Sequence, residues 1–425
     1  MISEIMSKYL PRLIDAELKA SLEAFGAVVI SGPQGCGKTT TASQVSKSIL
    51  RLQDPEFREK SVILAKLKPS ELLKGDQPRL LTEWQIAPQV WDSIRLNVDQ
   101  NDDPGLYILT SAIVANKNSI QHSGTGRIDQ LRMNTMSLFE SGDSGGSISL
   151  NRLFKGNSEV SGSSEFKLDD IAGLIVRGGW PRALGQSELV SRKVIKSCCE
   201  NIVEAAIRIN ERKRKQDKMQ AVLRSLSRNI SAPLSKKGIM ADISLKEGSS
   251  ISENTLNDYL TALRDIYVLD ELPAWNPNLR SKTAIRTTDT VHLCDPAIAA
   301  YFLSVKKEDL LADPHIFGLL FESLVVRDLR TYAQSIGGEV FHYRDKSGLE
   351  ADAVVHLHNG KWAAFEVKLG DAWVDEAAET LLKLKDRVNT ESMGEPAFLS
   401  VITASDYAYT RDDGVHVVPL TCLKN

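Results

Sequence analysis

Cysteine is scarce in this 425-residue chain, and Cys36, Cys198, Cys199, Cys294 and Cys422 form no C-x-x-C pair. That spacing excludes the common zinc and disulfide frameworks and points to a reducing compartment. Long apolar runs are also lacking, and none approaches the ~20 residues a membrane span needs. The stretch Met1 to Leu10 carries Glu4 and Lys8 among apolar residues and has no signal-peptide core. The expectation is a cytoplasmic protein with no membrane partner. Formal net charge is only -3, so the molecule is no polycation and any nucleic-acid surface must be a local patch. No internal repeat is evident. Hydrophobic content of 42% and charged content of 25% fit an ordinary globular protein, and the length predicts roughly two to four domains.

The most specific feature is Gly32-Pro33-Gln34-Gly35-Cys36-Gly37-Lys38-Thr39, a full match to G-x-x-x-x-G-K-[ST]. Ala27-Val28-Val29-Ile30 before it reads as a buried strand, and Thr40 to Leu50 after it is apolar at helical spacing. Strand, loop and helix are the context a phosphate-binding loop requires. Backbone N–H groups from Gly35 to Thr39 would wrap the β-phosphate, with the positive end of a helix opening near Lys38 behind them. Gly32 and Gly37 permit backbone angles closed to other residues. Lys38 supplies charge to the β- and γ-phosphates, and the Thr39 hydroxyl is placed to ligate magnesium, with Thr40 next to it. Cys36 is a spacer inside the loop. The expected ligands are ATP and Mg2+.

Strand candidates at 61–65, 78–81 and 105–110 alternate with helical stretches, among them Ile14 to Phe25 and Ala87 to Val98. The fold class this predicts is α/β, a doubly wound parallel sheet whose site lies at the carboxyl ends of the strands. Ser141 to Ser149 and Gly156 to Ser164 are small and polar and read as loops or linkers. The expected domains are residues 1–165, 166–288 and 289–425. In the middle region Ser250-Ile251-Ser252-Glu253 has capping-box spacing, and Leu256, Tyr259, Leu260, Leu263 and Ile266 form an apolar stripe. This region reads as a winged-helix module or as a plain helical lid. From about residue 290 a helix at 317–332, strands at 339–343, 351–357 and 362–367, a helix at 375–384 and a strand at 397–403 predict a separate α/β module.

A hydrolytic site usually ends a strand in Asp for magnesium, often followed by Glu to polarise water. Here Pro78-Arg79-Leu80-Leu81 is followed by Thr82 and Glu83. A hydroxyl cannot replace a carboxylate's charge on a hard cation, so hydrolysis is expected to be slow or absent unless Asp76 or Asp92 compensates. Thr110-Ser111 would orient water or touch the γ-phosphate, or else cap a helix. Arg127, in Gly124-Thr125-Gly126-Arg127, and Arg132 are candidates for an arginine finger, supplied within the chain or by a second copy in a homo-oligomer. The alternative for each is a surface ion pair.

Toward the C-terminus, Asp352 with Glu350 precedes Phe365-Glu366-Val367-Lys368. Period-2 alternation puts Glu366 and Lys368 on one face. Acidic residues on adjacent strands beside a lysine make a site that can hold one or two divalent metals and activate water at a phosphodiester. Glu322 could add a carboxylate. A charge-paired sheet edge is the alternative. Arg208, Arg212, Lys213, Arg214, Lys215 and Lys218 form a basic run that either contacts nucleic-acid phosphates or is a solvated helix face.

Together these residues resemble a family of prokaryotic AAA-type P-loop ATPases. Its members end in a domain of unknown function similar to the PD-(D/E)XK restriction endonucleases. The resemblance is carried by Tyr9-Leu10-Pro11-Arg12, the loop at Gly32 to Thr39, Pro78 to Gln85, Gly124 to Ile128, Gly178-Gly179-Trp180-Pro181 and Asp295-Pro296. Further on it includes Gly318 to Glu322, Gly348 to Asp352 and Phe365 to Lys368. It implies an AAA-type core, a winged-helix-like middle and an endonuclease-like end, with nucleotide at Gly37, Lys38 and Thr39 and metal at Asp352, Glu366 and Lys368. Two departures stand out: Thr82 replaces the family's Asp, and Gln34 its frequent Arg. The resulting expectation is an ATPase whose nucleotide state controls a nuclease-like, DNA-interacting domain. The alternative is an ATP-sensing DNA- or protein-binding module with little turnover. A small-molecule or RNA kinase is a weaker third reading, because no basic lid is evident.

Overall fold

Ala27-Val28-Val29-Ile30 shows no polar alternation because both faces of its strand are covered. In the computed structural model β1 (Ala27–Ser31) is flanked in parallel by β4 (Tyr107–Ser111) and β5 (Ile128–Arg132). With β2 (Ser48–Arg51) and β3 (Arg79–Thr82) these make a five-stranded parallel sheet in the order β2-β3-β4-β1-β5. The structure describes residues 9–101, 103–115, 120, 122–157, 159–209, 214–248, 250–277 and 288–425.

The helices of this sheet are α1 (Ile14–Ala24), α2 (Lys38–Ser43), α3 (Arg58–Leu67) and α4 (Val90–Asn101). Ile14 and Leu18 of α1 and Ala42 of α2 pack with Val28, Ile30, Leu80 and Ile108 on one face. Trp91, Ile94 and Val98 of α4 pack with Val29, Leu81 and Leu109 on the other. The sheet is doubly wound, as expected. The chain leaves β1 for the edge at β2, returns through β3 and β4, and then crosses to β5. Loops from the carboxyl ends of β1, β3 and β4 therefore converge.

Two local expectations are corrected. Residues 61–65 are helical, not a strand. Within α3 only Ser61 and Ala65 are buried, four apart, while Ile63 is exposed; a short apolar run cannot distinguish the two periods. The helix expected over 40–50 stops at Ser43, and Ser48–Arg51 is the edge strand β2, half-covered on alternate residues.

The described chain forms two compact units. One runs to Thr135 and also takes in Asp265–Tyr267; the other holds Met136–Arg264 and Val268–Asn425. The boundary expected at 165 thus falls inside the second unit. Its first elements are α5 (Leu138–Ser141), β6 (Ile148–Ser149), α6 (Leu150–Phe154), β7 (Gly162–Ser163), α7 (Leu168–Arg177) and α8 (Glu188–Arg208). The small polar stretches read as linkers are pinned to the C-terminal end of the chain. Ser144 Oγ donates to the Leu423 carbonyl at 2.6 Å and Ser149 Oγ to that of Asn425 at 2.7 Å. β6 pairs with β14 (Leu423–Lys424), and β7 with β12 (Tyr407–Thr410). Short hydroxyl side chains look like linker composition, yet they also bond backbone readily.

Next come α9 (Gln216–Arg228), α10 (Lys236–Glu247) and α11 (Glu253–Asp265). The stripe Leu256, Tyr259, Leu260, Leu263 and Ile266 is buried. Ser252, not Ser250, caps α11: its Oγ accepts from Thr255 N at 3.2 Å. Backbone bridges then join Leu269 to Leu293 and both Leu272 and Pro233 to Thr290. After α12 (Pro296–Leu303), α13 (Lys307–Ala312) and α14 (Pro314–Ser335), β8 (Gly338–Arg344), β9 (Glu350–Leu357) and β10 (Trp362–Lys368) form an antiparallel meander. α15 (Val374–Arg387) covers it through Ala377, Leu381 and Leu384, and the short α16 (Thr390–Met393) leads into β11 (Phe398–Thr403), parallel to β10. β13 (His416–Pro419) and β12 extend the sheet to seven strands, β7-β12-β13-β11-β10-β9-β8.

A buried ion cluster fixes this unit. Arg327 pairs with Asp295 at 3.0 Å and Asp328 at 2.7 Å. Asp295 also accepts from Gly179 N at 2.9 Å, and Asp328 from Leu138 N at 2.9 Å. The Gly178-Gly179 and Asp295-Pro296 motifs meet here. A Cβ on Gly179 would lie 2.3 Å from the Met136 carbonyl, so the approach needs glycine.

Candidate functional site

The phosphate loop leaves β1 at Gly32 and enters α2 at Lys38. A Cβ on Gly32 would lie 2.0 Å from the Met133 carbonyl. Gly35 and Gly37 hold φ of 80° and 111°, in the left-handed region. Lys38 is buried, and its Nζ donates to the carbonyls of Gly32 at 2.8 Å and Pro33 at 2.9 Å. Cys36 is buried with its Sγ toward the Met133 carbonyl at 3.5 Å, a packing role. Gln34, Gly35 and Thr40 face outward, and Thr39 is half-buried at the second position of α2.

The motif does not anticipate how the loop is braced. Arg12 is buried and donates through Nη1 to the Cys36 carbonyl at 2.8 Å and through Nη2 to that of Asn134 at 2.9 Å. Tyr9 Oη donates to Asp15 at 2.6 Å and lies 3.1 Å from Thr41 Oγ1. The Tyr9-to-Arg12 motif therefore buttresses the loop from behind.

β3 ends beside β4, with Thr82 in register with Thr110. Thr82 is fully buried and its Oγ1 donates to Gln53 Oε1 at 2.6 Å. Glu83 has φ 53°, a strained backbone for a non-glycine residue of the kind found at ligand sites. Its carboxylate accepts from Gln85 Nε2 at 2.6 Å and Ala112 N at 3.4 Å. Gly32 N donates to the Ser111 carbonyl at 3.2 Å, so the loop and the end of β4 are joined. Glu83, Thr110, Ser111 and the loop thus share one end of the sheet. Asp76 does not, because it precedes β3 at its amino end, whereas Asp92 lies in the first turn of α4, the helix that follows β3.

Arg127 is corrected as a finger within its own chain. It precedes β5, and its carbonyl accepts from Ala27 N at the start of β1, at the sheet end away from the loop. Its Nε donates to Asp99 at 2.6 Å on the surface. Arg132, at the far end of β5, is in register with Ser31, the residue before Gly32.

In the second unit β9 and β10 bring Asp352, Glu366 and Lys368 together. Asp352 accepts from Val367 N at 2.8 Å, and Lys368 Nζ lies 2.9 Å from Glu366 Oε2. Burial, then the Asp352 charge, pushes Glu366 up to about 8. Burial also raises Asp352, with Lys368 pulling the other way. Glu322 on α14 lies well above the ordinary carboxylate range through burial and the charges of Asp352 and Glu366. Burial works against the Lys368 charge, but Glu366 and Asp352 outweigh it. Ser231, φ 59°, packs against the start of α14, its Oγ donating to the Leu319 carbonyl at 3.0 Å. Among the described residues no three His, Cys, Asp or Glu side chains are spaced to hold a metal ion. The expected metal set Asp352, Glu366 and Glu322 is thus not preformed as a trio. Asp352 and Glu366, on the adjacent strands β9 and β10, are hard oxygen donors that suit a single divalent cation.

The basic run is partly structural. Arg214 is buried, bidentate to Asp258 at 2.7 and 3.0 Å, and caps the carbonyls of Ala206 and Ile209. Arg208 pairs with Glu204 at 2.7 Å. Arg212 and Lys213 lie outside the described residues. Among the described residues no helix is long and apolar enough to cross a membrane.

Residues 24–141 match the AAA domain family. Residues 168–309 and 317–423 match two domains of unknown function, DUF8612 and DUF4143. The chain therefore carries a P-loop ATPase domain of AAA type. No curated protein matches it. A Walker-type ATPase of Pyrococcus abyssi is 11% identical over 68% of this chain and 94% of its own, with a TM-score of 0.42. A signal transduction ATPase with numerous domains (STAND), bearing a tetratricopeptide repeat sensor, from Pyrococcus horikoshii is 12% identical over 76% of this chain and 48% of its own, with a TM-score of 0.23. Likenesses at that level carry no argument, so the assignment rests on the family match and the loop.

Proposed function

We propose that this chain binds ATP with magnesium at Gly32 to Thr40 and uses the nucleotide state to control a C-terminal, nuclease-like domain that acts on DNA. The observation that carries the reading is the loop itself: buried Lys38 between the left-handed Gly35 and Gly37 and an Arg12 brace. Phosphate oxygens would take Lys38 Nζ from the Gly32 and Pro33 carbonyls, and the Thr39 hydroxyl would join the magnesium shell. Glu83, held by Gln85 and Ala112, would polarise the attacking water. Arg127 could reach a phosphate only from a second copy of the chain.

In the C-terminal domain, the helix α14, the meander β8 to β10, the helix α15 and the parallel strand β11 support a restriction-endonuclease-like core. Three helices followed by bridged segments at 268–274 and 290–293 support a winged-helix reading of the middle. Asp352 and Glu366 would hold one divalent cation, which supplies charge to polarise a phosphodiester and its attacking water. Lys368 would orient that water or stabilise developing charge. The decisive assay is cleavage of single- and double-stranded DNA with magnesium or manganese, with and without ATP. Cleavage lost in Lys368→Ala supports the reading; cleavage unchanged in that variant removes the assignment.

A second reading has its own observation. Thr82 is buried and committed to Gln53, which leaves the usual magnesium-directed carboxylate missing. On that reading ATP is a ligand that sets the conformation of a DNA- or protein-binding surface with little turnover.

A further inference from the structure

In the second unit, α7, α8 and α12 line a cleft of about 390 Å³, a volume that suits a small-molecule ligand. Its floor is apolar. Val176 comes from α7, Ile195 from α8, and Ala297 and Ala300 from α12. Ile195, Ala297 and Ala300 are buried, whereas Leu189, also lining the cleft, is 68% exposed and marks its mouth. Cations stand around this floor. Arg192 and Lys196 lie four apart on α8 and share a face, with Lys193 beside them. The chain leaves α12 at Ser304 with φ 58°, and Lys306, two residues on, completes the rim. Among the described residues no Asp or Glu lines the cleft. Glu188 approaches Arg192 at 3.5 Å and Glu200 approaches Lys196 at 3.8 Å, all on exposed side chains, where such pairs hold weakly. Lys193 and Lys306 form no ion pair among the described residues.

A row of cations on an exposed helix is most often a solvated face. These cations instead border an apolar floor, and long cationic side chains lay their stems along such a surface with the charge at its edge. A molecule seated here meets apolar side chains below and positive charge above. We propose that this cleft binds a small amphiphilic anion, a free monocarboxylate with an unbranched apolar tail. The tail lies on Ile195, Ala297 and Ala300. The carboxylate takes charge-assisted bonds from Lys193 and Lys306, the two rim cations with no acidic partner to give up. A neutral molecule with the same tail leaves the rim unanswered, and a small anion without the tail leaves the floor wet. None of the lining residues belongs to the phosphate loop or to the Asp352 and Glu366 pair.

The test is calorimetric titration of the full chain with decanoate, well below the concentration at which it forms micelles. Acetate and decanol serve as the head alone and the tail alone. Decanoate should bind saturably, decanol about 10-fold or more weakly, and acetate without saturation. Lys193→Glu combined with Lys306→Glu should weaken decanoate about 10- to 100-fold. Ala300→Phe should abolish binding by filling the cleft, but overpacking a buried site can itself unfold a chain. Leu189→Asp, on an exposed residue at the mouth, therefore serves as the second variant and should weaken decanoate about 10-fold. Lys237→Glu, on an exposed lysine of α10 outside the cleft, should leave the affinity within about twofold. An unchanged urea midpoint reports that each variant is folded. The proposal is overturned if decanoate does not saturate, or if acetate or decanol binds as well as decanoate does. It is also overturned if the rim pair and Leu189→Asp leave binding unchanged, or if Lys237→Glu weakens it as much as the rim pair.

Discussion

Replacing Glu366 with Gln should change how stability depends on pH. Glu366 is buried and held at about 8 against an ordinary value of 4.5. Between those values the folded chain keeps a proton that the unfolded chain has released. Stability therefore falls as pH rises through this window, with a limiting slope of about 1.4 kcal/mol per pH unit for one proton. Asp352 and Glu322 are raised as well and contribute with the same sign. Below 6.5 a second effect opposes it. His292, pushed down to about 3 by burial, stays neutral in the fold while the unfolded chain gains a proton, so stability there is lost as pH drops. The clean window is therefore between about 6.5 and 8. Across it the melting temperature of the native chain should fall by about 3–5 °C per pH unit at the steepest. Glu366→Gln, which cannot ionise, should show a clearly shallower fall. Scanning calorimetry at several pH values compares the two. A native chain whose stability rises with pH in this window, or a variant with the native slope, would refute the argument. Millimolar magnesium should flatten the native slope too, since a cation between Asp352 and Glu366 replaces the proton.

Three further outcomes are expected. Thr82→Asp should raise ATP turnover about 10- to 100-fold by restoring a carboxylate to the magnesium's outer shell, as read by phosphate release. Arg12→Ala leaves the buried Cys36 and Asn134 carbonyls without their guanidinium donor; it should cost about 1–3 kcal/mol and weaken ADP and ATP binding together, checked by denaturation and titration. Arg327→Met strands Asp295 and Asp328 in the core and should cost about 3–5 kcal/mol, whereas removing both acids with it by Asp295→Asn and Asp328→Asn should recover part of that loss in urea unfolding.

What could be read from the chain alone followed the strength of each local signal. β1, the loop and the meander β8 to β10 were legible because buried strands and a glycine-lysine motif leave dense, periodic patterns. The residues Asp352, Glu366 and Lys368 were legible as a group because alternation fixes which side chains share a face. β2 and α3 were exchanged because Ser61 to Ala65 is apolar without a period, and its neighbours in space decide its form. The serines at 144 and 149 looked like linker residues because a hydroxyl's backbone partner, here at the C-terminal end of the chain, cannot be seen locally. Arg127 and Arg132 are equivalent in sequence, and only strand direction places them at opposite ends of β5.

The central claim is tested most directly by titrating labelled ATP and magnesium into the full chain and into Lys38→Ala. Saturable binding to the native chain that drops by an order of magnitude or more in the variant is the predicted result. Absence of saturable binding, or binding that survives loss of the lysine unchanged, would contradict it.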